Sequence, residues 1–216
     1  YRETITSTGS CPYRHKKQTG GRGQFAEVHL RLEPLPTAEF EFANEVVGGN
    51  IPRNFIPAVE KGVVEAMIDG PLAGCKVINV KAVVYDGKYH DVDSSELAFK
   101  IAARGAFRGA MKLARAILLE PIMTLKIVFP EEYMGAITGD LNSRRGRILG
   151  MDREESLQVL NAEIPLAEVF TYSNQLRSMT QGRGTFEMAF ERYDPVPTNV
   201  AQQIQAERAR KTEEEE

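Results

Sequence analysis

Four short stretches gather the residues best suited to chemistry with a polyanion. The first is His15-Lys16-Lys17-Gln18-Thr19-Gly20-Gly21-Arg22-Gly23-Gln24-Phe25, where three glycines surround one arginine behind two lysines. It lacks the GxxxxGK(S/T) spacing of a phosphate-binding loop and precedes a predicted strand, not a helix. No nest of backbone N–H groups at a helix start is therefore expected there. The reading that fits is a hairpin tip bordered by Gln18 and Gln24. It displays Arg14, Lys16, Lys17 and Arg22 to an RNA backbone, with Gly20, Gly21 and Gly23 allowing close approach. A solvated hairpin that only turns the chain is the competing reading. It leaves unexplained why cations that repel one another are grouped around the turn.

The second stretch, Gly87–Ser95, places Tyr89, His90, Asp91, Asp93 and Ser94 together, a set suited to acid–base or metal chemistry. Asp93 with Glu96 three residues later resembles a capping box, so Asp93 and Ser94 are expected to cap a helix. That leaves His90 in an exposed loop beside Lys88 and Tyr89, where stacking of Tyr89 or His90 on nucleic acid is the favoured use. A stand-alone hydrolase built on His90 and its acidic neighbours is the alternative from another class.

The third and fourth stretches are Asn142–Ile148, with Arg144, Arg145 and Arg147 around Gly146, and Thr180–Phe186, with Arg183 between glycines. Each reads alone as a surface turn; together they suggest a second docking edge for RNA or protein. Cys11 and Cys75 form no CxxC pair, and His15, His29 and His90 lack ligand spacing, so no metal site is expected.

These residues need a scaffold. Gln24–Leu35 and Phe40–Val46 alternate as strands, Asn54–Asp69 has helical spacing before Gly70-Pro71, and Cys75–Tyr85 alternates again. Asp86-Gly87 is read as a turn. A helix then follows with Phe99, Ala103, Ala106/Phe107, Ala110, Leu113/Ala114 and Ile117 as its buried stripe. Gly105 and Gly109 in that helix are expected to permit close packing against a sheet. A break near Leu119-Glu120-Pro121 separates a second region. There strand 122–129, helix 131–143, strands 147–152 and 157–164, helix 166–179 and strand 184–193 follow in turn. The second helix is expected to turn Val169, Phe170, Ser173 and Leu176 inward, and Phe186, Met188 and Phe190 share a face of the last strand. This β-α-β-β-α-β order is the ferredoxin-like plan. The fold class is thus a two-domain α+β chain. An α/β sandwich comes first, a ferredoxin-like domain second, and a polar C-terminal helix with an acidic end last.

The 216 residues are 42% hydrophobic and 26% charged, ordinary for a globular protein with a core in each of two domains. The net charge of −3 by itself argues against a general polyanion binder, but its distribution is uneven. Residues 1–119 carry a net +3 and residues 120–216 a net −6, so a local basic patch stands on a near-neutral chain. No apolar run approaches the roughly 18 residues of a membrane span, and no signal peptide is recognised. The start on Tyr1 suggests a piece of a longer protein.

Together these stretches resemble elongation factor G, a translocase GTPase of the ribosome. The resemblance runs from "YRETI" through "QTGGRGQF", "FIPAVEKGV", "GPLAG", "YHDVDSSELAFK", "LLEPIM", "GDLNSRRGRI", "QLRS" and "TQGRG" to "NVAQ". It implies that residues 1–119 correspond to the factor's fourth domain, which enters the decoding region of the small subunit. Residues 120–195 then correspond to the fifth, near the large-subunit stalk base, and 196–216 to the C-terminal helix and tail. It also implies tip loops at Gln18–Gln24 and Lys88–Asp93, with His90 at the position that becomes diphthamide in archaeal and eukaryotic relatives. Arg144, Arg145, Arg147 and Arg183 become candidate contacts to ribosomal RNA. The implied partners are the ribosome and its tRNA–mRNA, for a cytoplasmic monomer that promotes translocation. No cofactor is expected in this chain, and GTP and Mg would belong to a GTPase domain it lacks. Ala26-Glu27 stand where the family more often has a glycine-containing pair, which points toward a paralogue acting in ribosome recycling or stress.

Overall fold

The computed structural model describes residues 1–215; Glu216, the last residue of the expected acidic tail, lies outside them. The chain divides into two compact units, Tyr1–Leu118 with Val196–Glu216, and Leu119–Pro195. Among the described residues no helix is long and apolar enough to cross a membrane.

In the first unit β1 (Arg2–Ile5), β2 (Gly9–Lys17), β3 (Gln24–Pro34) and β4 (Phe40–Asn44) lead into α1 (Ile56–Ile68). Then come β5 (Val80–Lys88) and α2 (Glu96–Leu113); α5 (Thr198–Glu215) returns from the far end of the sequence. One sheet has the order β2-β3-β5-β4, with β4 and β5 parallel and the other pairs antiparallel. Parallel neighbours require a crossover, and α1 supplies it. The side-chain period of two in β3 sends Ala26, Val28, Leu30 and Leu32 to one face, all fully buried. Both helices cover that face with small residues: Ala58, Gly62 and Ala66 from α1, and Ala98, Ala102, Ala103, Ala106 and Ala110 from α2. Phe55 and Phe99 stack with ring centroids 4.8 Å apart.

The expected close approach at Gly105 and Gly109 is present. A Cβ at these positions would lie 2.6 Å from the Tyr13 ring and 2.4 Å from Cys11 Sγ, both on β2. Several local expectations need correction. Asp86-Gly87 makes no turn; the strand continues to Lys88, and Tyr85 is left unopposed by a register shift between His29 and Leu30. Cys75–Asn79 are irregular, held by the isolated bridge of Val77 to Glu3 and by backbone bonds to Met67 and Glu39, because Asn79 adopts φ of 59° and interrupts the extended run. The α2 cap is Ser95, whose Oγ accepts from Ala98 N at 3.1 Å, not Asp93. Leu113 is exposed, and Ile117 lies beyond the helix because Arg115, at φ of 51°, ends it.

In the second unit the order is β6 (Ala116–Pro130), α3 (Met134–Ser143), β7 (Arg147–Glu154), β8 (Leu157–Pro165), α4 (Tyr172–Met179) and β9 (Thr185–Pro195). Its strands lie in the order β7-β8-β6-β9, all neighbours antiparallel, the ferredoxin-like arrangement. Leu125, Ile127, Phe129, Ile137, Leu141, Leu160 and Ile164 form its core. The expected boundary near Leu119–Pro121 falls where the two units divide, and β6 runs through it as continuous strand without a linker. Pro121 is tolerated there beside the register shift between Ile122 and Met123. The second predicted helix is also shorter. A 3-10 turn at Leu166–Glu168 and an irregular Val169–Thr171 precede α4, which breaks the helical period. Phe170 therefore points to solvent, 80% exposed, Ser173 is exposed, and Tyr172 is buried in their place. Only Phe186 of the β9 aromatic stripe joins the core; Met188 and Phe190 are exposed.

The crossing of α1 and α2 sets a testable limit. A Cβ at Gly62 would meet the Lys100 carbonyl oxygen at 2.5 Å and Ala103 Cβ at 2.9 Å. Alanine at an exposed helix position is favoured over glycine by about 1 kcal/mol. Here the obstacle is backbone, so Gly62→Ala is expected to destabilise by about 1–3 kcal/mol. Urea denaturation measures the sign directly.

Candidate nucleic-acid interface

The β2–β3 hairpin and the β5–α2 connection meet at one end of the first unit, because the hairpin leads into β3 and the connection leaves β5, whose Lys88 pairs with Glu27 near the start of β3. Phe25, second residue of β3, uses both backbone groups to hold the neighbouring loop. Its N–H donates to Asp93 O at 2.9 Å, and its carbonyl accepts from Ser94 Oγ at 2.7 Å. Ser94 Oγ in turn accepts from His90 N at 2.9 Å. Asp93 and Ser94 thus clip the two loops together, a role their expected place in a helix cap concealed. Gly23 lies against the Asp93 carboxylate, 2.9 Å from where a Cβ would stand. Arg22 Nη2 donates to Val92 O at 3.1 Å, a third link between the loops.

His90 has a defined orientation. Its Nδ1 accepts from the N–H groups of Val92 and Asp93, each at 3.2 Å. An accepting Nδ1 carries a lone pair, so the neutral ring bears its proton on Nε2 and offers a donor there. The nitrogen nearest Asp93 Oδ2, at 3.7 Å, is the one already engaged by the backbone. This arrangement suits hydrogen bonding to an acceptor better than general-base chemistry. Tyr89 and Asp91 are exposed on either side. Among the described residues no group of three or more His, Cys, Asp or Glu is arranged to hold a metal ion.

On the other loop Lys16 and Lys17 end β2 exposed, with no carboxylate partner among the described residues. Gln18 is exposed, and Gln24 is held by His15, Nε2 to Oε1 at 2.8 Å. Gly20 and Gly21 have φ of 88° and 121°, conformations L side chains rarely adopt, and open space surrounds both. The run lies between two strands, so it presents no N–H nest at a helix start for nucleotide phosphates. Below the tip, Glu27 accepts from Arg14 Nε at 2.7 Å and pairs with His29 Nε2 at 2.8 Å. Burial opposes its ionisation, but the His29 and Arg14 hydrogen bonds outweigh it and hold its pKa below the usual carboxylate value. Arg14 is therefore committed to the scaffold.

The second unit treats its arginines differently. Arg144 donates to Asp140 Oδ2 at 2.9 Å and Glu168 O at 2.7 Å, and lies over the Tyr172 ring at 5.4 Å. Arg145 forks onto Glu120, a buried carboxylate, at 2.7 and 3.0 Å. Arg147 reaches Glu163 at 2.7 Å, and Arg183 reaches Glu132 at 2.6 Å. All four expected docking residues thus have internal carboxylate partners, 4 to 51 positions away in sequence. Nor do they share an edge. Arg147 faces Glu163, which faces Thr124 early in the unit, while Thr185, two residues after Arg183, faces Val128 near the other end of β6. The Arg144–Arg147 and Arg183 turns lie at opposite ends of the sheet.

Residues 1–115 match the family model for elongation factor G, domain IV, and residues 117–204 that for the elongation factor G C-terminus. A crystal structure of a protein from Thermus thermophilus is 48% identical over 97% of this chain, with a TM-score of 0.88. Fold and comparison define the chain as the C-terminal, two-domain portion of an elongation-factor-G-like protein. It belongs to the elongation factor G family and spans 31% of that solved relative.

Two measurements test this geometry. Ser94→Ala removes the hydroxyl shared by Phe25 and His90 and is expected to destabilise the tip by about 1 kcal/mol. Amide hydrogen exchange at Phe25 and His90 would then quicken while β3 beyond Ala26 stays protected. The second concerns Glu163, whose pKa the Arg192 hydrogen bonds, and then Arg147, lower to about 2. A depressed carboxylate contributes stability above its unfolded pKa and loses it as pH falls from about 4.5 toward 2. Arg147 and Arg192 are 69% and 41% exposed, so screening limits the contribution to about 1 kcal/mol. Glu163→Gln should flatten this part of the acid-denaturation profile.

Proposed function

We propose that this chain is the ribosome-binding half of a translational GTPase that promotes tRNA–mRNA translocation during elongation. The observation that carries the proposal is a single tip made of two clipped loops. It presents Lys16, Lys17 and Arg22 together with exposed His90, whose Nδ1 is engaged and whose Nε2–H is left as a donor. Cations, a donor and the exposed Tyr89 ring suit an RNA surface with phosphates, base edges and stacking faces. In this reading the first unit enters the decoding region of the small subunit and the tip contacts the tRNA–mRNA there. The second unit sits near the large-subunit stalk base and its ribosomal RNA, with exposed Arg147 as its contact at one sheet end. Its arginines mainly hold the unit in shape.

The chain contributes binding and position, with no reaction assigned to its own residues. GTP and Mg belong to a GTPase domain outside these two units, and the protein works as a monomer in the cytoplasm. Single-round translocation by the full-length protein tests the proposal. Arg22→Ala and His90→Ala are each expected to slow it about tenfold, equivalent to roughly 1.4 kcal/mol, with GTP hydrolysis unchanged. Wild-type rates in both variants would overturn the tip assignment. A wild-type protein that splits ribosomes but does not translocate tRNA would replace this reading with recycling.

A further inference from the structure

The tip occupies one end of α2, and the other end carries a second set of cations. Lys100, Arg104, Arg108 and Lys112 recur every four residues and so lie along one ridge of the helix. The first two are neutralised. Lys100 Nζ is 2.7 Å from Glu65 Oε1, and Arg104 Nη1 is 3.5 Å from Glu65 Oε2. Arg108 and Lys112 are exposed without a carboxylate partner among the described residues. They line a cleft together with Arg208 of α5 and the loop through Gly70 and Gly74.

Arg208 is poised over that loop: a Cβ on Gly74 would lie 2.9 Å from its Nη2. Its nearest acid, Asp69, is 3.7 Å away and itself 58% exposed, so the pairing is weak. The loop has no spare donors of its own. Leu72 and Ala73 donate to the buried Glu3 Oε1 at 2.5 and 2.8 Å, and the Gly70 and Gly74 N–H groups are bonded to Cys75 O and Gly70 O. Any anion in the cleft is therefore held by the three long cations. Solvated, flexible cations without a fixed N–H cage suit a polyanion that gains by counterion release, more than a small ion needing a tight cradle.

We propose that Arg108, Lys112 and Arg208 form a second contact to the sugar–phosphate backbone of ribosomal RNA. The proposal rests on the ribosome-binding reading above. Arg108 lies 13 residues beyond the Ser95 cap, about 20 Å along the helix axis, so this contact is separate from the tip. The acidic end of α5 tempers it, because Glu213 also borders the cleft.

Binding of the chain to purified ribosomes, measured across a KCl series, tests the idea. The Arg108→Glu/Lys112→Glu double variant is expected to bind at least tenfold more weakly. Its slope of log K against log salt should fall by about 2, one unit for each lost phosphate contact. Arg108→Ala/Lys112→Ala should move the same way by less, and Glu213→Gln should bind more tightly. Thermal melting of each variant checks that the fold is intact. Wild-type affinity and slope in a folded double variant would overturn the proposal. Weaker binding with an unchanged slope would also overturn it, by marking the cleft as a protein contact. Loss of affinity in Arg22→Ala alone would remove this contact but keep the ribosome reading, whereas a wild type that binds no ribosomes would remove both.

Discussion

The first unit depends on one strand having its register fixed from both sides. β3 buries Ala26, Val28, Leu30 and Leu32 under two helices, and its period of two allows no slip without exposing that whole set. Once the register holds, Phe25 must stand at the strand's entrance with both backbone groups available to the next loop. The hairpin tip and the His90 loop are therefore brought together by core packing that neither contains. Gly62, Gly105 and Gly109 serve the same end, letting α2 approach α1 and β2 closely enough to cover β3.

The two units distribute charge in opposite ways. In the second, carboxylates at Asp140, Glu120, Glu163 and Glu132 meet the arginines of the turns, so those side chains fasten turn to strand or helix. In the first, Glu27 and Glu65 neutralise Arg14, Lys100 and Arg104 along the middle of the scaffold, and cations without acids remain at the extremities. Lys16 and Lys17 stand at one extremity, Arg108 and Lys112 at the other. Screening in water makes isolated cations cheap to keep, while a polyanion that displaces their counterions gains from each. An arginine that meets a buried carboxylate, as Arg145 meets Glu120, is committed to the scaffold, whereas exposed cations without such a partner stay available.

That distinction also marks what could be read from the sequence. Strand alternation in Gln24–Pro34 and the helical spacing of Phe99, Ala103 and Ala106 are local signals, as are the alternating and helical runs that set the β-α-β-β-α-β order of the second unit. The tip residues were legible too, because glycine and cationic residues cluster within eleven consecutive positions. Partners far apart in sequence were not: Arg183 with Glu132, Arg145 with Glu120 and Ser94 with Phe25 exist only after folding. The capping pattern at Asp93–Glu96 misled for a physical reason. Ser95 is as good a cap, and choosing it frees Asp93 and Ser94 to clip the loops. The broken period around Val169–Thr171 likewise needed tertiary packing to bring Tyr172 inward and turn Phe170 out.

On the proposed RNA-binding reading, the two halves of the tip would contribute differently to recognition. The His90 loop is preorganised: its backbone bonds set the ring, so little entropy is lost when Nε2–H meets an acceptor. Gln18 to Gly21 is the reverse case, exposed and with open space around Gly20 and Gly21. Fixing each such residue costs about 1–2 kcal/mol, which the cationic contacts of Lys16, Lys17 and Arg22 must offset. Arg22 joins the two regimes because its bond to Val92 ties the adaptable loop to the rigid one. A surface built this way places its polar donor accurately and lets its charges follow a backbone that shifts. On the function proposed above, that combination would suit an RNA whose position changes.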